Sequence, residues 1–206
     1  MKPIIIGISG YSASGKTYLV EKLRAIYGER QLAILQMDHY YKPTKYLQKD
    51  FKGVFNFDVL NAINIEQYHE HLLKLKQGKI IYLSEYTFNN PAIISETIVI
   101  HPAPVIILEG LMLFQFEQLV DEFDYKIWVN AEKKLRFQRR LTRDVEQRKL
   151  PKLEITHQWK HHVKQQENQL SQDFLSKIDL IIDNQVDINI NSVKNLLESH
   201  GTFPLF

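Results

Sequence analysis

Eight consecutive residues near the amino terminus, Gly10-Tyr11-Ser12-Ala13-Ser14-Gly15-Lys16-Thr17, fit the pattern G-x-x-x-x-G-K-[ST] in full. Glycines at both ends let the backbone wrap an anion, with its N–H groups pointing inward at the start of a helix. Ser12, Ala13 and Ser14 would form the wall of that cradle. Lys16 would neutralise charge on the β- and γ-phosphates of a nucleoside triphosphate, and Thr17 would offer its hydroxyl to Mg²⁺. The chemistry this spacing predicts is phosphoryl transfer.

Two carboxylates stand where they could serve that chemistry. Asp38 follows the apolar run Leu32 to Met37, and Glu109 follows Val105 to Leu108. Asp38 could accept the proton of an attacking hydroxyl or help hold Mg²⁺, and Glu109 could orient a metal-bound water; each also reads as a carboxylate of an ordinary turn. Arg136, Arg139, Arg140 and Arg143 are spaced by three and four, so they share one broad helical face, and Arg148 follows. Such a face is either solvated, laced with Glu132, Asp144 and Glu146, or the inner side of a lid that excludes water from a triphosphate. His157 and His161 lie four apart with His162 adjacent, which is half a zinc site. No glutamate stands between them and no third ligand is evident, so the sequence does not support a metal there. Tyr40, Tyr41, Phe55, Phe57, Tyr86 and Phe88 can stack on a base or pack a core.

These residues need strands to set them and helices to cover the strands. Ile4 to Ile8, Leu32 to Met37, Val105 to Leu108, Tyr125 to Val129 and Leu180 to Ile182 read as continuously apolar strands, the pattern of a sheet buried on both faces. Helical spacing is predicted over Thr17 to Tyr27, about 62–76 (stopped by Gly78), 131–148, 154–175 and near 189–199. Ile80 to Leu83 and Thr97 to Ile100 can pair as a small hairpin around the irregular stretch Ser84 to Ser95. The stretch from Lys42 to Phe57 reads as a long functional loop. Strands alternating with helices predict an α/β domain whose parallel sheet carries helices on both faces and binds ligands beyond the carboxyl ends of its strands.

The 206 residues suit one domain, with no linker or repeat. With 26 basic and 24 acidic side chains the net charge is +2, which gives no general attraction to nucleic acid. There is no cysteine, hence no disulfide or thiolate metal site. No apolar stretch reaches the roughly 20 residues of a membrane span, and a cytoplasmic protein is the expectation.

Taken together, the motifs resemble the uridine kinases of the phosphoribulokinase/uridine kinase group, from Ile4 to about Asn184. The likeness rests on Gly7-Ile8-Ser9-Gly10 with the P-loop, Gln36-Met37-Asp38-His39-Tyr40-Tyr41, Phe55-Asn56-Phe57-Asp58 and Val105 to Leu111. It continues through Arg139-Arg140-Leu141-Thr142-Arg143-Asp144, Gln158-Trp159 and Asp179-Leu180-Ile181-Ile182. The resemblance implies a single P-loop NTPase domain over 1–206, with a hairpin insertion near 80–100 and a helical lid near 131–152. It implies ATP or GTP as donor, Mg²⁺, and a riboside, uridine or cytidine, phosphorylated at its 5′-hydroxyl. Asp38 would be the base, with Lys16, Arg143 and Arg148 as the other catalytic groups; Arg140 would join the P-loop on the donor. Thr17, Asp38 and Glu109 would surround the metal. Asp58 would grip the 2′- and 3′-hydroxyls, with Tyr41, Phe57, Tyr86, Phe88 and Gln158 around the rest of the acceptor. Partners would be the riboside and further copies of the chain, as a dimer or tetramer, with neither nucleic acid nor membrane.

Some positions depart from the pattern. The histidine and arginine that read the pyrimidine edge in this family are replaced by Pro91 and Ile93, and a second lid arginine is replaced by Leu150. Asp58-Val59-Leu60-Asn61-Ala62-Ile63-Asn64 and Ile107 to Phe114 are more similar to nicotinamide riboside kinases. Nicotinamide riboside is therefore an alternative acceptor, and an inactive nucleotide-binding regulator a further alternative. A GTPase-type switch is disfavoured: Ser176-Lys177-Ile178-Asp179 has the wrong first residue for a guanine-reading motif and precedes its strand.

Overall fold

The computed structural model describes residues 2–88, 90, 92–168 and 176–198. Strands β1 (Ile4–Gly10), β2 (Leu32–Gln36), β5 (Val105–Glu109), β6 (Tyr125–Asn130) and β7 (Leu180–Asp183) form one parallel sheet in the order β2-β5-β1-β6-β7. Strands β3 (Ile81–Ser84) and β4 (Thr97–Ile100) form the separate antiparallel hairpin.

Alternation along the central strands sends successive side chains to opposite faces of the sheet, and both faces are covered. Ile5, Ile106 and Leu108 pack beneath α2 (Ile65–Lys76) with Tyr68, Leu72 and Leu75. Ile6, Ile8, Val105 and Ile107 pack with Leu19, Val20 and Leu23 of α1 (Lys16–Tyr27), and with Val193 and Leu197 of the last helix, residues Asn191–Glu198. Each fully buried aliphatic side chain contributes about 1.5–3 kcal/mol relative to exposure, so this double-sided core is what holds the strand ends in place.

Those ends carry the site. In the parallel register Glu109 lies opposite both Gln36 of β2 and Ile8 of β1. The chain therefore leaves three adjacent strands at one edge, the position where open α/β sheets bind ligands.

The remaining helices are α3 (Lys133–Glu146), α4 (Lys152–Gln158), α5 (Lys164–Asn168) and α6, which is Asn191–Glu198. Three details differ from the sequence expectation. β2 stops at Gln36, and Met37–Tyr40 winds into a 3₁₀ turn, so Asp38 is displayed from a turn. The helix expected from about 62 begins at Ile65, because Asn64 caps it, its side chain accepting from Gln67 N–H. The helix expected over 154–175 is broken at Trp159–Val163 by a π turn, and 169–175 lie outside the described residues. Among the described residues no helix is long and apolar enough to cross a membrane.

Candidate active site

The P-loop adopts a conformation that few residue types tolerate. Gly10 (φ 154°), Ala13 (φ 59°) and Gly15 (φ 105°) all have positive φ. A Cβ at Gly10 would sit 2.2 Å from Val129 O, and one at Gly15 would sit 2.0 Å from Asn184 Nδ2. The second contact is a brace: Asn184 donates from Nδ2 to Ser14 O at 2.8 Å, and Arg139 donates to Asn184 O at 3.1 Å. Lys16 opens α1 and folds back over the loop, its Nζ bonded to Gly10 O at 3.1 Å and Tyr11 O at 3.2 Å. Burial lowers its pKa, with Glu109 and Asp38 opposing.

Facing it, Glu109 is buried and accepts from Thr17 Oγ1 at 3.4 Å and from Gln36 Nε2 at 3.5 Å. Burial, against the attraction of Lys16, raises its pKa from 4.5 to about 7. A carboxylate held so far out of water needs a cation or a proton. Thr17, Asp38 and Glu109 present hard oxygen donors beside the P-loop, a set that fits Mg²⁺.

Above this floor the arginines of α3 divide into two groups. Arg136 is buried against the scaffold, paired with Glu167 at 2.6 Å and lying over the rings of Tyr11 and Trp159. Arg139 braces Asn184. Arg140, Arg143 and Arg148 turn to the cleft, gathered by Asp144, which is fully buried within 2.8–3.4 Å of all three. Burial acts against ionisation of Asp144, but Arg143 and Arg148 hold its pKa below the usual carboxylate value. Arg148 also lies 3.6 Å from Asp38 and stacks 3.6 Å from the Phe88 ring centroid. Arg140 donates to Ser12 Oγ at 2.9 Å, Asp58 Oδ1 at 3.4 Å and Gln158 Oε1 at 3.1 Å. Burial disfavours its charge, yet Asp58 and Asp144 outweigh that and its pKa is raised.

A cleft of about 470 Å³ opens beside these groups. Tyr41, Phe55, Phe57, Tyr86 and Phe88 form its apolar side, and Asp58, Asn90, Glu154 and Gln158 its polar side. Tyr41 is the centre of the aromatic cluster, with ring centroids 5.4 Å from Phe57, 5.3 Å from Tyr86 and 6.4 Å from Phe88. His39 fixes the segment after β3 here by accepting from Tyr86 N–H at 3.2 Å. A second cleft runs along the P-loop past Gly15, Gln36, His39 and Arg139. The two share Lys16, Thr17, Asp38, Glu109, Arg143 and Arg148, so a donor and an acceptor entering from either side would meet at these groups.

The sequence profile of the phosphoribulokinase / uridine kinase family matches residues 5–191. The chain belongs to that family. Curated relatives include a uridine kinase of Borrelia turicatae, 39% identical over 144 residues, 70% of this chain and 68% of that one. A uridine kinase of Clostridium perfringens is 28% identical over 202 residues, 95% and 97% of the two chains. Among solved structures, D-glycerate 3-kinase from Cryptococcus neoformans aligns with TM-score 0.61 at 14% identity, covering 91% of this chain and 88% of that one, a likeness of fold. By family the chain is an ATP-dependent kinase, and its sheet and helices are those of the P-loop kinases.

The fold brings together most of the residues singled out for the donor and acceptor; of the P-loop set, Gly15 lines the second cleft, and Gly10 and Ser14 line neither. Ser12, Ala13, Lys16, Thr17, Asp38, Tyr41, Phe57, Asp58, Tyr86, Phe88, Glu109, Arg140, Arg143, Arg148 and Gln158 all line the first cleft. Ile93 does not; it lines the second cleft, with Tyr86 and Phe88. Pro91 is outside the described residues. Leu150 lines the acceptor cleft as an apolar wall. Sequence reasoning missed Asn90 and Glu154 in the cleft, Asn184 behind the P-loop and Asp144 beneath the arginines. For Asp144 the signal was present: an acid one residue after Arg143 and four after Arg140, on the face that carries the arginines.

Proposed function

We propose that this chain transfers the γ-phosphate of ATP or GTP to the 5′-hydroxyl of a pyrimidine riboside, uridine or cytidine. The observation that carries this reading is the position of Asp38, shared by the P-loop cleft and the aromatic cleft that holds Asp58. Asp58 has two oxygen acceptors on one side chain, suited to a vicinal diol. With the sugar so held, the 5′-hydroxyl reaches Asp38 and Asp38 takes its proton as the oxygen attacks phosphorus in line. The bond to the departing diphosphate breaks as the new one forms. Lys16, Arg143 and Arg148 carry the charge that accumulates on the transferring group, and closure by the arginine helix keeps water from competing. Thr17, Asp38 and Glu109 would hold Mg²⁺, which when bound supplies positive charge between the β- and γ-phosphates.

The test is a panel of ribosides incubated with Mg-ATP or Mg-GTP, with product read by mass. Uridine and cytidine monophosphates are expected; no product from any riboside would sink the reading and favour an inactive regulator. A second acceptor, nicotinamide riboside, is favoured by the aromatic cluster around Tyr41 with Glu154 on its rim, since a cationic ring gains from π faces and a nearby carboxylate. Exclusive turnover of nicotinamide riboside in the same panel would select it.

A further inference from the structure

The histidine pair that lacks a third ligand in the sequence acquires one in the fold. The loop after Lys42 carries Asp50 against α4 and the π turn, where Asp50 Oδ2 contacts Nε2 of His157 at 2.5 Å and Nε2 of His162 at 2.8 Å. The three ligand atoms all lie within 4.8 Å of one another.

The π turn brings a second histidine to His157 beside the one that helical spacing already supplies. In a regular α-helix His157 would share its face with His161, four residues on. Here Lys164 N–H bonds to Trp159 O, five residues back, and the widened coil brings His162 over His157. His161 stays against His157, with ring centroids 4.5 Å apart, and packs on Phe51 at 5.4 Å, while His162 is the one bonded to Asp50.

Asp50 is prepared on its other oxygen. Oδ1 accepts from the backbone N–H of Lys52 at 2.8 Å and Val54 at 3.0 Å, which fixes the carboxylate and leaves Oδ2 aimed at the imidazoles. Side-chain exposures are 12% for Asp50, 9% for His157 and 3% for His162, so the site is enclosed yet open on one side for a water.

We propose that Asp50, His157 and His162 bind a transition-metal dication, zinc first, with water in the fourth position. Two imidazoles and one carboxylate are a zinc-type donor set, too nitrogen-rich for magnesium or calcium. Tetrahedral zinc at about 2.0–2.1 Å from each ligand separates the ligand atoms by about 3.3 Å, so Asp50 Oδ2 would draw back from each imidazole by under about 1 Å. Each histidine then carries its proton on Nδ1. His162 Nδ1 is buried without a hydrogen-bond partner, so affinity falls about 10–100-fold below that of a site whose imidazoles are supported from behind. The bound metal would tie the loop leading to Phe55, Phe57 and Asp58 to the helix that carries Glu154 and Gln158, two walls of the acceptor cleft.

The experiment strips the full chain of metal with a chelator and titrates zinc against a chromophoric indicator in excess magnesium, which occupies the P-loop site. One equivalent of zinc and a zinc-dependent rise in unfolding temperature are expected. Asp50→Asn and His162→Gln should each weaken binding at least about tenfold and abolish the thermal shift. Absence of saturable zinc binding by the wild type overturns the proposal, and so does equal binding by both variants. Should a variant fail to fold, cobalt substitution in the wild type decides: strong four-coordinate visible bands support the site, and a weak six-coordinate spectrum refutes it.

Discussion

The donor and acceptor halves of the site are built in opposite ways. On the donor side eight consecutive residues carry the geometry in their own backbone, through positive φ at Gly10, Ala13 and Gly15. On the acceptor side Tyr41, Asp58, Tyr86 and Gln158 come from four separate segments, and none is in place until loop, hairpin and α4 have packed. The donor half is contiguous in sequence and braced from behind by Val129 and Asn184, while the acceptor half is assembled only by tertiary structure. A common reaction with a variable acceptor follows from that division.

Substitutions can test whether the halves separate in this way. The largest effect is expected at Asp38, which belongs to both: Asp38→Asn should lower kcat by about 10²–10⁴ for every acceptor, and intact transfer would refute its role as base. Next is the support under the lid. Asp144→Ala leaves three arginines crowded without their buried counter-charge, and a loss of about 3–5 kcal/mol is expected in chemical denaturation. Asp144→Asn, which retains the shape, should recover part of it.

Glu109→Gln should divide stability from function on the donor side. Because burial raises the folded pKa of Glu109 from 4.5 to about 7, its contribution to stability is present below 4.5 and lost as pH rises through about 7. The substitution removes that loss. Without nucleotide or Mg²⁺ the variant should be more stable than wild type above pH 7, by up to about 3 kcal/mol, and no more stable in acid. Thermal unfolding at both pH values measures this, and the same variant should transfer phosphate poorly. The smallest effect sharpens the comparison most. Asp58→Asn should raise the acceptor KM about 10–100-fold, with a smaller change in the ATP KM passed on through Arg140; equal shifts of both would show that the halves do not separate.

Legibility followed the same division. The P-loop, the apolar strands and the hairpin could be read because each is written in contiguous residues with a fixed period. Residues that act across the chain could not. Asn184 reaches Ser14 over 170 positions, and Asp50 meets His157 over 107. The π turn was invisible because helical spacing does not distinguish a four-residue return from a five-residue one.

Arg140 binds Ser12 of the P-loop, Asp58 of the acceptor cleft and Gln158 of α4 with one guanidinium. On the function proposed above, a sugar that took over Asp58 would release that cation toward the phosphates, and a nucleotide that drew the cation away would expose Asp58 to the sugar. The two substrates would then be linked, each strengthening the binding of the other by the same factor, whichever arrived first. A single shared charge would make the enzyme respond to the coincidence of both.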